Sequence, residues 1–342
     1  MKQNILFGGY TRRIGQGIYR MTLDTEKKCL TNLQLIAEEI NPTYLAVDQY
    51  QHLYSVGAIN NAGGIAAFSL NEDRATLLNH VVEEGVSPLC YVAVDETKNL
   101  VYGANFHQGV IYVYDRKADG SLKLASSLQH KGNGPSKFQT SPHVHYTDLT
   151  PDKRLVVCDL GTDGVYTYDI TESRKLIEIA VYQATPGAGA RHLTFHPNQK
   201  TAYLFGELNS TIEVLDYNKK SGIFSHLQTI STIPENYTGL NGGAAIRLSK
   251  DGKFLYASNR GHNSIVTFLV DKNGGNLYSP KWTSTQGDFP RDFNLSKDED
   301  FLIVANQNSD NATLFTRNNK TGSLTLVQQD IFIPEATAVY PL

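Results

Sequence analysis

The chain has 342 residues, with 31 Lys and Arg against 34 Asp and Glu, a formal net charge of -3, 40% hydrophobic residues and 19% charged ones. That balance excludes a disordered chain and leaves no cationic excess for gripping nucleic acid through its phosphates. Three scattered cysteines, Cys29, Cys90 and Cys158, give neither a disulfide framework nor zinc-ligand spacing.

Residues 4–10 read as a strand, and their apolar run is too short for a signal-peptide core or a membrane span. The expected compartment is a reducing cytoplasm, with no membrane partner. A unit of about fifty residues then repeats, the period of propeller blades rather than of helical solenoids. Its marker falls near the end of a strand at Tyr54, Tyr102, Val157, Tyr203, Tyr256 and Ile303, at separations of 48, 55, 46, 53 and 47. Each unit holds four short β patterns. In the sixth these are residues 244–248, 254–258, 264–269 and 276–278, separated by Lys250-Asp251-Gly252, Gly261-His262-Asn263 and Asn273-Gly274-Gly275. Such Gly- and Asn-rich punctuation suits hairpins, because both residues accept positive φ. No window sustains a 3.6-residue apolar period, so few helices are expected. Residues 336–340 look like a first strand without a second, and residues 4–10 like a second strand without a first. Pairing the two closes a ring and removes open sheet edges. The expected fold is all-β: a single seven-bladed β-propeller domain over residues 1–342, with four-stranded antiparallel blades and one blade shared between the termini.

Comparing the units separates scaffold from chemistry. At the start of the innermost strands the sequence places Cys90, His145, Arg191, Ala244 and Arg291. At the exit of the second strands it places Ala58, Phe106, Gly161, Glu207, Arg260 and Gln307. Both columns should face one mouth of the central channel. Packing does not choose such residues, since buried charge is costly unless paired or used. Three arginines beside one glutamate leave positive charge for an anionic ligand, and guanidinium groups suit phosphate or carboxylate through bidentate hydrogen bonding.

Other features carry less. His143 and His145 form an H-x-H pair on one strand face, but no third ligand is spaced to join them, so a metal is not expected; a calcium ion on axial Asn and Glu residues is the outside alternative. His192 should point away from Arg191, as a structural residue. His52, His80, His107, His130, His196, His226 and His262 read as loop or surface residues. The recurring Asn105, Gly206, Asn259 and Asn306 are attributed to turn geometry. The Gly-rich stretches lack phosphate-loop spacing, and no G-x-S-x-G elbow is present.

Several segments together resemble a known family. They are Ser141-Pro142-His143-Val144-His145 with Leu149-Thr150-Pro151-Asp152, Gly189-Ala190-Arg191-His192-Leu193-Thr194-Phe195-His196-Pro197, Glu207-Leu208-Asn209-Ser210-Thr211-Ile212, Ala257-Ser258-Asn259-Arg260-Gly261-His262-Asn263-Ser264-Ile265 and Phe289-Pro290-Arg291-Asp292-Phe293. Over essentially its full length the chain resembles the seven-bladed propeller lactonases of the cycloisomerase type, which are similar in fold to carboxymuconate lactonising enzyme. The family's active-site His, Arg, Glu and Arg match His145, Arg191, Glu207 and Arg260. The resemblance implies hydrolysis of 6-phospho-D-glucono-1,5-lactone to 6-phosphogluconate, a step of the oxidative pentose phosphate route, without cofactor.

The expected chemistry has His145 or Glu207 taking the proton of water, with both assignments open. Arg191 and Arg260 stabilise the oxyanion or hold a phosphate, and Arg291, Gln307 and His143 contact substrate. The expected partner is a small anionic sugar lactone, handled by a monomer or weak homo-oligomer. The alternatives are a carboxymuconate-type cycloisomerase and, in another class, a propeller that binds a ligand or protein without turnover.

Overall fold

The second strand of each repeat is apolar on both faces. In the computed structural model, which describes residues 1–342, Leu100–Asn105, Thr201–Gly206 and Phe301–Asn306 are buried at every position. Each is covered on both faces by neighbouring sheets, whereas outermost strands such as Leu122–Gln129 and Leu176–Gln183 are largely exposed. The twenty-eight strands form seven sheets of four, each antiparallel, and no helix is present. The chain is a seven-bladed β-propeller.

The terminal strands close the ring as the sequence requires. Ala336–Pro341 is the innermost strand of the first blade and pairs antiparallel with Lys2–Gly9, setting Phe7 opposite Val339 and Leu6 opposite Tyr340. Ile5, Phe7 and Leu23 of that blade pack with Ile303, Leu314 and Ile331 of the last one, so burial also holds the closure. Each such side chain contributes about 1.5–3 kcal/mol when fully buried.

The repeat's tyrosine marker has a physical reason. Tyr54, Tyr203 and Tyr256 are fully buried, and their hydroxyls donate to the carbonyls of Gly120, Gly274 and Gly322 at 3.1, 3.1 and 2.9 Å. Each glycine sits in the outer hairpin of the following blade, so the ring packs within one blade while its hydroxyl latches the next. Gly322 shows why that position is glycine. Its φ is +71°, and a Cβ there would lie 2.3 Å from the Phe254 ring.

Three sequence expectations change. The fourth strand of the sixth blade runs Leu277–Ser284, well past residue 278, because its polar, half-exposed residues carry little alternation to mark its length. His130 is no surface residue: it is buried, with Nδ1 2.7 Å from Asp159 Oδ2 and Nε2 2.9 Å from the Tyr168 hydroxyl. The asparagine column is more than turn geometry. Asn259 is fully buried; its Nδ2 donates to the Thr232 carbonyl at 2.8 Å, and its Oδ1 accepts from Thr232 Oγ1 at 2.9 Å. Asn105 and Asn306 make the matching bonds to the carbonyls of Ser87 and Thr285. These amides clamp the segment that enters each blade against that blade's second strand. Asn259→Ala is therefore expected to cost about 1–3 kcal/mol, since it strands buried partners, as read by urea unfolding.

Candidate functional site

The side chains at the centre of the ring are presented by an irregularity that recurs in the innermost strands of five sheets. In Val144–Leu149, Val144 lies opposite Asp159 and Tyr146 opposite Cys158, so His145 is the extra residue of a bulge. The register slips likewise at Arg191, between Ala190 and His192, and at Arg291, between Pro290 and Asp292. In the sixth blade the slip falls between Gly243 and Ile246. A bulge re-aims its unpaired residue and breaks the alternation of faces. This is why His192 does not point away from Arg191. Its ring lies 5.1 Å from that of His145 and 5.2 Å from that of Tyr91, on the channel, with Arg191 Nη1 3.2 Å from Nε2.

One mouth of the channel opens into a 310 Å³ cavity that His145, Glu207, Arg260 and Arg291 line together. Arg191 lies beneath them at 2% exposure, outside the cavity lining. Its Nε donates to Glu207 Oε2 at 2.7 Å and its Nη1 to the Ala244 carbonyl at 2.7 Å. Arg260 Nη2 reaches the same Oε2 at 3.0 Å and donates to the Gly243 carbonyl at 2.7 Å. Glu207 thus bridges two guanidinium groups from below and beside, and its side chain is 22% exposed to the cavity. Gln307 and His143 do not line the cavity. Gln307 Oε1 accepts from Arg291 Nη1 at 3.3 Å, and His143 stacks on Phe106 at 4.4 Å, with Nδ1 2.9 Å from the Phe106 carbonyl oxygen.

The ionisation states follow from this packing. Burial pushes the Glu207 carboxyl up, but Arg260 and Arg191 more than reverse it and hold the group at about 2. Burial and then Arg191 drive His145 well below the usual histidine range, with Arg291 and Arg260 adding to the effect, so its imidazole is neutral. Its Nδ1 is buried without a protein partner. Burial lowers Arg191 to about 10, leaving it charged at neutral pH. Cys90 also lines the cavity, but burial lifts its thiol to about 12, so it is not a thiolate nucleophile.

Sequence reasoning missed Tyr10, Arg12, Asn41 and Thr43, which line the same cavity, and placed His107 on the surface although it lines it too. A signal for Tyr10 existed. Lys2–Gly9 is the second strand of its blade, so Tyr10 occupies the exit position held elsewhere by Glu207 and Arg260. Arg12 brings the site to four guanidinium groups against one carboxylate and a neutral imidazole. The opposite mouth differs. Its 350 Å³ cavity is lined by Tyr44, Tyr91 and Tyr146 among others, and its one arginine, Arg247, is paired with Asp292 at 2.9 Å beside Asp148. A surplus of positive charge therefore exists at one mouth only. No group of three or more His, Cys, Asp or Glu side chains is placed to hold a metal ion.

A family described as "Lactonase, 7-bladed beta-propeller" matches residues 4–341. The chain belongs to the seven-bladed propeller lactonases. It is 40% identical to the 6-phosphogluconolactonase of Bacillus subtilis over 337 residues, covering 97% of this chain and 96% of that one. A crystal structure of a Lactobacillus plantarum protein superposes on this lactonase with a TM-score of 0.98 at 49% identity, over the whole of both chains. The periplasmic gluconolactonase of Pseudomonas aeruginosa superposes with a TM-score of 0.94 at 28% identity, over 100% of this chain and 99% of that one. No helix of the lactonase is long and apolar enough to cross a membrane.

Proposed function

We propose that this lactonase opens 6-phospho-D-glucono-1,5-lactone to 6-phosphogluconate, with His145 as the base. The observation that carries the reading is the cavity's charge: a neutral, unpartnered imidazole set among guanidinium groups that a single glutamate cannot neutralise. Such a site favours a small anion whose reaction develops further negative charge.

In the proposed sequence His145 takes a proton from water as the water oxygen bonds to the lactone carbonyl carbon. The tetrahedral oxyanion is stabilised by Arg260. Breaking the bond to the ring oxygen then transfers the proton from His145 to that oxygen, and the new carboxylic acid loses its own proton to solvent. Glu207 fits the base role less well, because a carboxylate held at about 2 by two arginines has little affinity for a proton. It serves instead as the counter-charge that favours the imidazolium, since its field is the one nearby influence that raises the His145 pKa. Arg191, bonded to Glu207 and to backbone, acts as a positioning residue.

His145→Asn is expected to reduce kcat on the phosphorylated lactone by about 10²–10⁴-fold with KM little changed, the usual worth of a general base. The measurement follows freshly generated lactone against its spontaneous opening, beside plain glucono-1,5-lactone and a carboxymuconate. A variant within threefold of the parent removes His145 from the reaction. Equal parent rates on both sugar lactones leave a lactonase without phosphate selectivity.

A further inference from the structure

We infer that Tyr10, Arg12 and Arg291 form a dedicated phosphate subsite at the lip of the cavity, apart from the groups that act on the lactone carbonyl; this rests on the function proposed above. The two arginines differ from the pair below them in having no carboxylate. Arg191 and Arg260 share Glu207, and Arg13, the neighbour of Arg12, is paired with Asp310 at 2.9 Å, whereas neither Arg12 nor Arg291 meets an acidic side chain. Both instead use the same tyrosine. The Arg12 guanidinium lies 3.8 Å from the centre of the Tyr10 ring and that of Arg291 lies 5.4 Å from it. Arg291 Nη1 also donates to the Tyr10 hydroxyl at 3.1 Å. Stacking on an aromatic face holds a guanidinium without consuming its in-plane donors. The donors of Arg12 and the remaining donors of Arg291 are thus left for a ligand.

The loop that carries Arg12 is fixed in advance. Glu335 is 3% exposed, and its Oε2 accepts from the backbone amides of Arg13, Ile14 and Gly15 at 2.9, 3.1 and 3.0 Å. Thr11 donates its amide to Asn41 Oδ1 at 2.9 Å, and Tyr10 donates its own to the Glu335 carbonyl at 3.0 Å. The residue that leads into the ring-closing strand therefore also sets the arginine-bearing loop. A ligand that brings two negative charges and three acceptor oxygens to this lip satisfies both guanidinium forks, while its lactone reaches His145 and Arg260 deeper in the same cavity. A monoanionic carboxylate satisfies one fork only.

The test uses Arg12→Ala, an exposed residue whose loss does not threaten folding, with Arg12→Lys and Tyr10→Phe beside it. Two readouts are taken: the ratio of kcat/KM on the phosphorylated lactone to that on plain glucono-1,5-lactone, and calorimetric binding of inorganic phosphate to the unmodified and variant proteins. The expected result is that Arg12→Ala lowers the ratio at least tenfold, chiefly through KM, and weakens phosphate binding in parallel. Arg12→Lys restores only part, because charge returns without the fork, and Tyr10→Phe weakens both by a smaller factor. An unchanged ratio together with unchanged phosphate binding overturns the subsite. If the parent opens neither lactone, the proposed function fails, and loss of phosphate binding in Arg12→Ala still decides for the subsite while its retention decides against it.

Discussion

Glu207→Gln is expected to lower kcat/KM on the phosphorylated lactone by about 10²–10³-fold, the usual loss when a charge-stabilising group is misdirected, and to destabilise the fold by about 3 kcal/mol. Glutamine keeps the shape of the side chain and removes the charge that Arg191 and Arg260 share at 2.7 and 3.0 Å. Arg191 has no other carboxylate, and at 2% exposure it has little water to turn to. The stability figure follows from the carboxyl itself. Its pKa falls from 4.5 to about 2 on folding, so its contribution is complete above pH 4.5 and disappears as pH falls through 2. A shift of that size is worth about 3 kcal/mol at neutral pH. The variant also loses the field that favours a proton on His145, so the proposed base weakens while its counter-charge disappears. Added phosphate should recover more stability in Glu207→Gln than in the parent, because the variant's cavity lacks the negative field of Glu207 and its guanidinium groups attract an anion more strongly. Urea unfolding with and without phosphate reads this directly. Equal gains in the two proteins defeat the view that Glu207 is the charge anchor of the site.

Repetition made much of the site readable, and broken repetition hid the rest. Comparing equivalent positions in adjacent blades finds His145, Glu207, Arg260 and Arg291, because the ring brings those positions to one mouth. It also finds Arg191, but only the structure places that guanidinium beneath the cavity, spent on Glu207 and the Ala244 carbonyl. His192 was misdirected by the rule of alternating faces, which the bulge at Arg191 suspends. Tyr10 and Arg12 escaped because the first blade's inner strand lies at the far end of the chain, so its exit loop was not aligned with the others. The asparagine column was visible as a pattern, yet its partners, such as Thr232, sit on segments of variable length that no column comparison aligns. Sequence periodicity reports which positions are equivalent; what each side chain touches across a blade boundary depends on loop length and bulges.

The second large effect concerns acid stability. Folding is expected to weaken steeply as pH falls below 6.5, by up to about 1.4 kcal/mol per pH unit for each of two buried histidines. Burial drives both His145 and His192 well below 6.5, with Arg191 next for each and Arg260 adding in both cases. The sign is fixed by which state holds more protons. Below 6.5 the unfolded chain binds a proton at each imidazole while the folded chain resists it, so stability is full above that pH and is lost as pH falls toward the folded values. Two carboxyls oppose the loss: burial raises Asp148 and Asp292 above 3.8, so as pH falls from their raised values toward 3.8 the folded chain binds the extra proton and gains stability. The steep region therefore begins at pH 6.5 and precedes any loss through Glu207, whose window lies below 4.5. His192→Gln should lower the slope by up to about 1.4 kcal/mol per pH unit, since it removes one proton-binding difference while leaving His145 and the more weakly depressed His107 and His262 in place. Unfolding free energies measured in urea at constant ionic strength between pH 5 and 8 supply both slopes. If parent and variant fall in parallel, His192 is not held neutral by its surroundings, and the packing of its ring between Tyr91, Tyr146 and Arg191 does not govern its protonation.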